Sequence, residues 1–114
     1  MTPTARSLKK LRNESWHAYV VERYISFAKT RIDVAGFGDI LAWKNNGEVM
    51  LVQATTGGNV SHRLDKIVHG GLSEEDARAY LAWKHGGHAV QIHGWAKQGA
   101  RGKRKLWTCR VVEM

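Results

Sequence analysis

Apolar residues first recur with a helical period. Ala5, Leu8 and Leu11 fall three apart in a segment that runs from Thr2-Pro3 to about Asn13. Thr2 suits an N-cap, and Pro3 suits the first helical position, where a missing N–H costs nothing. From Trp16 to Tyr24 the pattern becomes an imperfect alternation rich in aromatic and β-branched residues, which predicts a strand. Ile25 to Ala35 has no clear period. Gly36 and Gly38 bracket the entry to a second strand, Phe37 to Trp43, and a third runs from Glu48 to Thr55. Gly57-Gly58 breaks the chain, Asn59 or Ser61 can cap a short helix with Val60, Leu64, Ile67 and Val68 on one stripe, and Gly70-Gly71 ends it. Ser73-Glu74-Glu75-Asp76 has the form of a capping box and opens a helix carrying Ala77, Tyr80 and Leu81, closed by Gly86-Gly87. His88 to Trp95 and Leu106 to Val112 read as two further strands. The order is α-β-β-β-α-α-β-β, an α+β (α/β) pattern in one domain spanning 1–114.

Two isolated polar residues interrupt the second and third strands, Asp39 and Gln53, each flanked by apolar neighbours. A polar group in such a setting needs a partner or a purpose. Turn length decides whether the two meet. A three-residue loop of Asn45-Asn46-Gly47, with Gly47 left-handed, pairs Lys44 with Glu48 and carries the ladder back to Asp39 opposite Gln53. A two-residue Asn46-Gly47 turn instead opposes Asp39 to Ala54 and turns Gln53 to the other face.

Composition narrows the classes. The chain has 114 residues, is 43% hydrophobic and contains a single proline, which argues against disorder. It holds no apolar run long enough for a membrane span, and Met1-Thr-Pro-Thr-Ala-Arg6 lacks the apolar core of a secretory signal. Cys109 is the sole cysteine, which excludes an intrachain disulfide and a cysteine-based zinc site and suits a cytoplasmic setting. The six histidines form no HxxxH pair, and no Walker-type phosphate loop is present. Formal net charge is +8 and the pI is near 10. Gln98 to Lys105 carries Arg101, Lys103, Arg104 and Lys105 with no anion, and Lys97 precedes it. Such a segment favours a polyanion, nucleic acid first, with five Trp and three Tyr available to stack on bases or to fill the core. The plainer reading is a soluble basic loop.

With Asp39 on strand two and Gln53-Ala54-Thr55 on strand three, the chain resembles the PD-(D/E)XK nuclease superfamily, in particular its small Holliday-junction-resolvase-like and VRR-NUC-type members, often carried by phages. The carrying residues are Gly36-Phe-Gly-Asp39-Ile-Leu-Ala42, matching Gly-x-x-Asp-Ile/Leu-x-Ala, and Leu51-Val-Gln53-Ala-Thr55, matching apolar-Val-Glu/Gln-x-Lys. The resemblance covers about residues 3 to 97. It implies a central mixed sheet of about five strands flanked by helices, with a restriction-endonuclease-like αβββαβ core. It also implies Mg²⁺ (or Mn²⁺), DNA, including branched DNA, as substrate, and a homodimer making two cuts.

The resemblance assigns Asp39 to the metal and Gln53 to the second ligand position, where the family usually has an acid and this chain offers a neutral amide oxygen. Thr55 stands where the family has its lysine. Some members supply that lysine from the following helix, a part open to Lys66 or Arg63. Glu22, near the end of strand one, is the candidate for a further carboxylate. Each residue has a structural alternative. Asp39 can bond backbone amides at a strand start, Gln53 can bond Asp39 or backbone, Glu22 can pair with Arg23 or Arg31, and Lys66 can be a solvated helix flank. Asp33 reads as a loop residue paired with Arg31. The rival to an active nuclease is a catalytically inactive nucleic-acid-binding module on the same fold; a third reading is a structural protein whose basic loop is incidental.

Overall fold

The computed structural model describes residues 1–25, 30–32, 34 and 36–114, with side chains left aside at 23–25 and 30–32. In chain order the elements are α1 (Pro3–Asn13), β1 (His17–Val20), β2 (Arg23–Ile25), β3 (Thr30–Ile32), β4 (Ile40–Trp43), β5 (Val49–Thr56), a 3-10 turn (Gly57–Asn59), α2 (Val60–Val68), α3 (Glu74–His85), β6 (Ala89–Gln98) and β7 (Leu106–Glu113). Five strands form one mixed sheet in the order β1-β4-β5-β6-β7, and β2 and β3 pair separately. The parallel β5–β6 pair is bridged by α2 and α3, and the other pairs are antiparallel. The expected mixed five-stranded sheet flanked by helices is therefore the fold.

The hairpin between β4 and β5 takes the three-residue loop. Lys44 N–H bonds the Glu48 carbonyl at 3.0 Å, and Gly47 adopts φ +91°, a conformation that only glycine reaches without strain. The register Ile40↔Val52, Leu41↔Leu51, Ala42↔Met50 follows. Alternation then separates two cores. Ile40, Ala42, Met50 and Val52 pack with Leu11 of α1 on one face, while Leu51, Val90 and Ile92 pack with Phe37, Val60 and Ile67 on the other. Gly94 of β6 permits the second contact: a Cβ there would lie 2.3 Å from Val60 Cγ2, so only glycine lets α2 settle this close.

On the α1 face a buried polar chain ties helix to sheet. Trp95 Nε1–H donates to Ser7 Oγ at 2.8 Å, and Ser7 Oγ lies 2.9 Å from His93 Nδ1. His93 Nε2 lies 3.0 Å from Gln91 Oε1, and Gln91 turns its amide nitrogen to Glu113. Because the Gln91 oxygen can only accept, His93 carries its proton on Nε2, and Nδ1 accepts from the Ser7 hydroxyl. Burial lowers the His93 pKa from 6.5 to about 4, with the Lys10 charge acting in the same direction.

Several elements depart from the pattern-based expectation. Strand one stops at Val20 because the amides of Val21 and Glu22 both turn to one acceptor, the Asp39 carbonyl, at 2.8 and 3.3 Å. Strand two starts at Ile40, not Phe37, since Phe37 N–H bonds the Val34 carbonyl in a turn. Neither Asn59 nor Ser61 caps α2: Asn59 holds the cap position, but its side chain donates to Thr56 Oγ1. Val68 and Leu81 are exposed, and Trp83, whose Nε1–H bonds the Ala89 carbonyl, joins Tyr80 against the core instead. Ser73 does cap α3, accepting from Asp76 N–H at 3.1 Å, and Thr2 caps α1, accepting from Ala5 N–H at 3.1 Å. Among the described residues no helix is long and apolar enough to cross a membrane.

Candidate functional site

Asp39 sits one residue before β4 and is anchored there by its own amide, which donates to the Val52 carbonyl at 2.9 Å. The β4–β5 register ends at Ile40↔Val52, and just beyond it the side chains of Asp39 and Gln53 meet, both of them buried. Asp39 Oδ2 accepts two hydrogen bonds, from Ala54 N–H at 2.9 Å and from Gln53 Nε2 at 3.2 Å. Both structural alternatives read from the sequence are thus real contacts: Asp39 does bond a backbone amide, and Gln53 does bond Asp39. They leave one atom unexplained. Gln53 Oε1 is buried and has no hydrogen-bond partner among the described residues. A buried amide oxygen left unpaired costs on the order of 1–3 kcal/mol, so its retention points to a use.

Asp39, Gln53 and Thr55 open on a cavity of about 470 Å³, which is also lined by Glu22 from the β1–β2 connection and by Arg63 and Lys66 from α2. The two α2 residues are three apart and so share one side of the helix. Lys66 and Arg63 are half-buried, which sets them apart from a fully solvated flank, and Glu22 is half-buried too. Arg23 and Arg31, the rival partners of Glu22, have side chains outside the described set, and Asp33 lies outside the described residues altogether. Among the described residues, two carboxylates and two cations line the cavity. A dication added there would be balanced by one or two phosphate charges.

Lys97, Arg101, Lys103, Arg104 and Lys105 do not enter this cavity. Lys97 lies on β6 and the other four in the turn to β7, and the whole stretch from Lys97 to Thr108 is exposed. Thr2, Pro3 and Thr4 at the start of α1 complete the cavity wall, which the sequence reading missed. The cap at Thr2 and the first helical position at Pro3 were legible, but the place of this turn beside Asp39 comes only from how α1 lies on the sheet.

No family model, curated protein or solved structure matches the chain.

The donor set suits a hard cation. Asp39 and Glu22 carry carboxylate oxygens and Gln53 an amide oxygen without a partner among the described residues, and Mg²⁺ and Mn²⁺ take such oxygen ligands beside water and phosphate. Among the described residues no group of three or more His, Cys, Asp or Glu is placed to hold a metal ion.

Proposed function

We propose that this chain is a divalent-metal-dependent DNA endonuclease of the resolvase-like PD-(D/E)XK type. The observation that carries the proposal is the buried Gln53 Oε1, without a hydrogen-bond partner among the described residues, beside the Asp39 carboxylate in a cavity also lined by Glu22, Arg63 and Lys66. Asp39, Gln53 and Glu22 are the residues to hold Mg²⁺ or Mn²⁺. When bound, such an ion polarises a phosphate oxygen and makes a coordinated water more acidic. The chain's own residues do the rest. The Ala54 amide and Gln53 Nε2 hold the Asp39 carboxylate in one orientation, so its charge is presented without reorganisation. Lys66 offers a cation to orient water or to offset charge as it develops on the phosphoryl oxygens. Arg63 and the exposed Lys97, Arg101, Lys103, Arg104 and Lys105 hold the DNA backbone. In the reaction water adds to phosphorus and one P–O ester bond breaks, leaving a phosphate monoester on one fragment and a hydroxyl on the other. Assembly as a homodimer, giving two sites for two cuts, belongs to the same proposal.

The test is cleavage of branched, single-stranded and linear duplex DNA with Mg²⁺ or Mn²⁺. Asp39→Asn keeps the shape and removes the charge, and a loss of at least ~100-fold with retained thermal unfolding is expected. No metal-dependent cutting, or equal cutting by both proteins, would favour the second reading, a binding module without catalysis. Two observations support that alternative. Thr55 occupies the lysine position of the resembled motif, and the Asp39 charge is already partly satisfied by two donors. Either reading predicts salt-sensitive binding through the basic turn. Replacing Arg101, Lys103, Arg104 and Lys105 by Ala should flatten the log affinity–log salt slope by up to about 3.6, if each contacts one phosphate of a duplex. An unchanged slope assigns the turn to solubility.

A further inference from the structure

The first turn of α1 has cavities on two sides. Thr2, Pro3 and Thr4 border the Asp39 cavity, whereas Met1, Arg6, Lys9 and Lys10 border a second cleft of about 420 Å³. Its opposite wall is built by Trp95 of β6 and Trp107 of β7. The pairings Trp95↔Cys109 and Lys97↔Trp107 put both indoles on the same face of the hairpin, the face toward α1.

Three features of this cleft go beyond packing. Trp107 remains 43% exposed although Arg6 lies on its ring, with the guanidinium carbon 3.8 Å from the ring centroid, and Lys97 Nζ approaches the same ring at 5.5 Å. Arg6 Nε is buried and has no hydrogen-bond partner among the described residues. Trp95 is fixed in orientation by its bond to Ser7 and, through Ser7, by His93. The cleft therefore holds one rigid and one accessible indole among the cations Arg6, Lys9, Lys10 and Lys97. Glu14 is the acid on its lining, and it pairs with Lys10. A ligand that satisfies such a surface must carry both flat aromatic groups and negative charge.

We infer that the Trp95–Trp107 cleft binds an unpaired strand of nucleic acid, its bases stacking on the indoles and its phosphates meeting Arg6, Lys9 and Lys97. In a duplex the base faces are already stacked and cannot reach an indole, so the cleft selects unpaired segments. The inference deepens the nuclease reading and rests on it for the choice of nucleic acid. It places an unpaired strand across the first turn of α1 from the cavity that takes the scissile phosphate.

The experiment is binding of a labelled oligothymidylate and of a hairpin duplex, both in EDTA so that cutting plays no part. Wild type is compared with Trp107→Ala, Trp107→Phe and Arg6→Ala. Oligothymidylate should quench the tryptophan fluorescence of the wild type, and Trp107→Ala should weaken its binding about tenfold or more while changing duplex binding little. Trp107→Phe, which keeps an aromatic face, should retain most of the affinity, and this separates stacking from a folding defect. Equal binding of oligothymidylate with and without Trp107 would overturn the inference. So would equal losses for single strand and duplex, or capture of polyglutamate as tight as that of the oligonucleotide. A chain that binds through Trp107 yet cuts no DNA loses the nuclease reading and keeps the cleft. One that cuts in an Asp39-dependent way but ignores Trp107 does the reverse.

Discussion

The two faces of the sheet each bury a polar cluster, and the clusters are built on opposite terms. On the α1 face, Trp95, Ser7, His93 and Gln91 form a closed series in which each donor has an acceptor, ending on Glu113. On the α2 face, Asp39 and Gln53 bond each other, but Gln53 Oε1 finds no partner among the described residues at the cavity. A closed buried network fixes one packing and rigidifies it; a network with an orphan atom is weaker than an apolar replacement unless something outside the chain completes it. On the function proposed above, the first is a structural use of buried polarity and the second a functional one.

The largest expected effect tests the closed side. The folded pKa of His93 is depressed from 6.5 to about 4, so the unfolded chain binds the proton more readily. The stabilisation from keeping His93 neutral is complete above pH 6.5 and is lost as pH falls toward 4, by roughly 3 kcal/mol. Urea denaturation across that window should show this loss in wild type and not in His93→Gln. Matching pH profiles would mean that the His93 series is not closed.

Next comes the open side. Gln53→Glu sets a second carboxylate within hydrogen-bond range of Asp39, so the metal-free protein should lose about 2 kcal/mol through like-charge repulsion. Millimolar Mn²⁺ should restore its melting temperature more than it raises that of wild type, and cleavage should be preserved or raised. A melting temperature indifferent to metal would remove the cation from the site.

The smallest effect is a difference between two truncations. Ser7→Ala strands the Trp95 N–H and should cost about 1–3 kcal/mol. Gln53→Leu gives up one bond but also removes the orphan oxygen, and should cost at least about 1 kcal/mol less while abolishing any metal-dependent activity. Equal costs in chemical denaturation would place both clusters in the structural class.

Much of this architecture could be read from local pattern. Thr2, Ser73 and Gly47 act within a few residues of themselves, and each does what its chemistry predicts. The three-residue turn then sets a register that runs to Ile40↔Val52 and brings Asp39 and Gln53 together at its end. The meeting of these two residues was thus one of the two outcomes the turn allowed, and the three-residue loop decided it. Where packing competes with pattern, reading failed. Leu81 fits the helical stripe of α3, yet it is exposed, and α3 turns Trp83, bonded to the Ala89 carbonyl, beside Tyr80 against the core instead.

The sequence by itself thus determined the helices and the strands of the main sheet and narrowed the β4–β5 register to two choices one residue apart, while the separate β2–β3 pair went unread. Only the tertiary structure decided that Glu22, Arg63 and Lys66 line the same cavity, that the start of α1 closes it, and that Arg6 meets Trp107 across more than a hundred residues. Arg6, Lys9 and Lys10 do form a cationic stripe at helical spacing. What such a stripe faces, however, depends on how helix and sheet pack, and side-chain volume summed over the whole core sets that, not spacing along the chain.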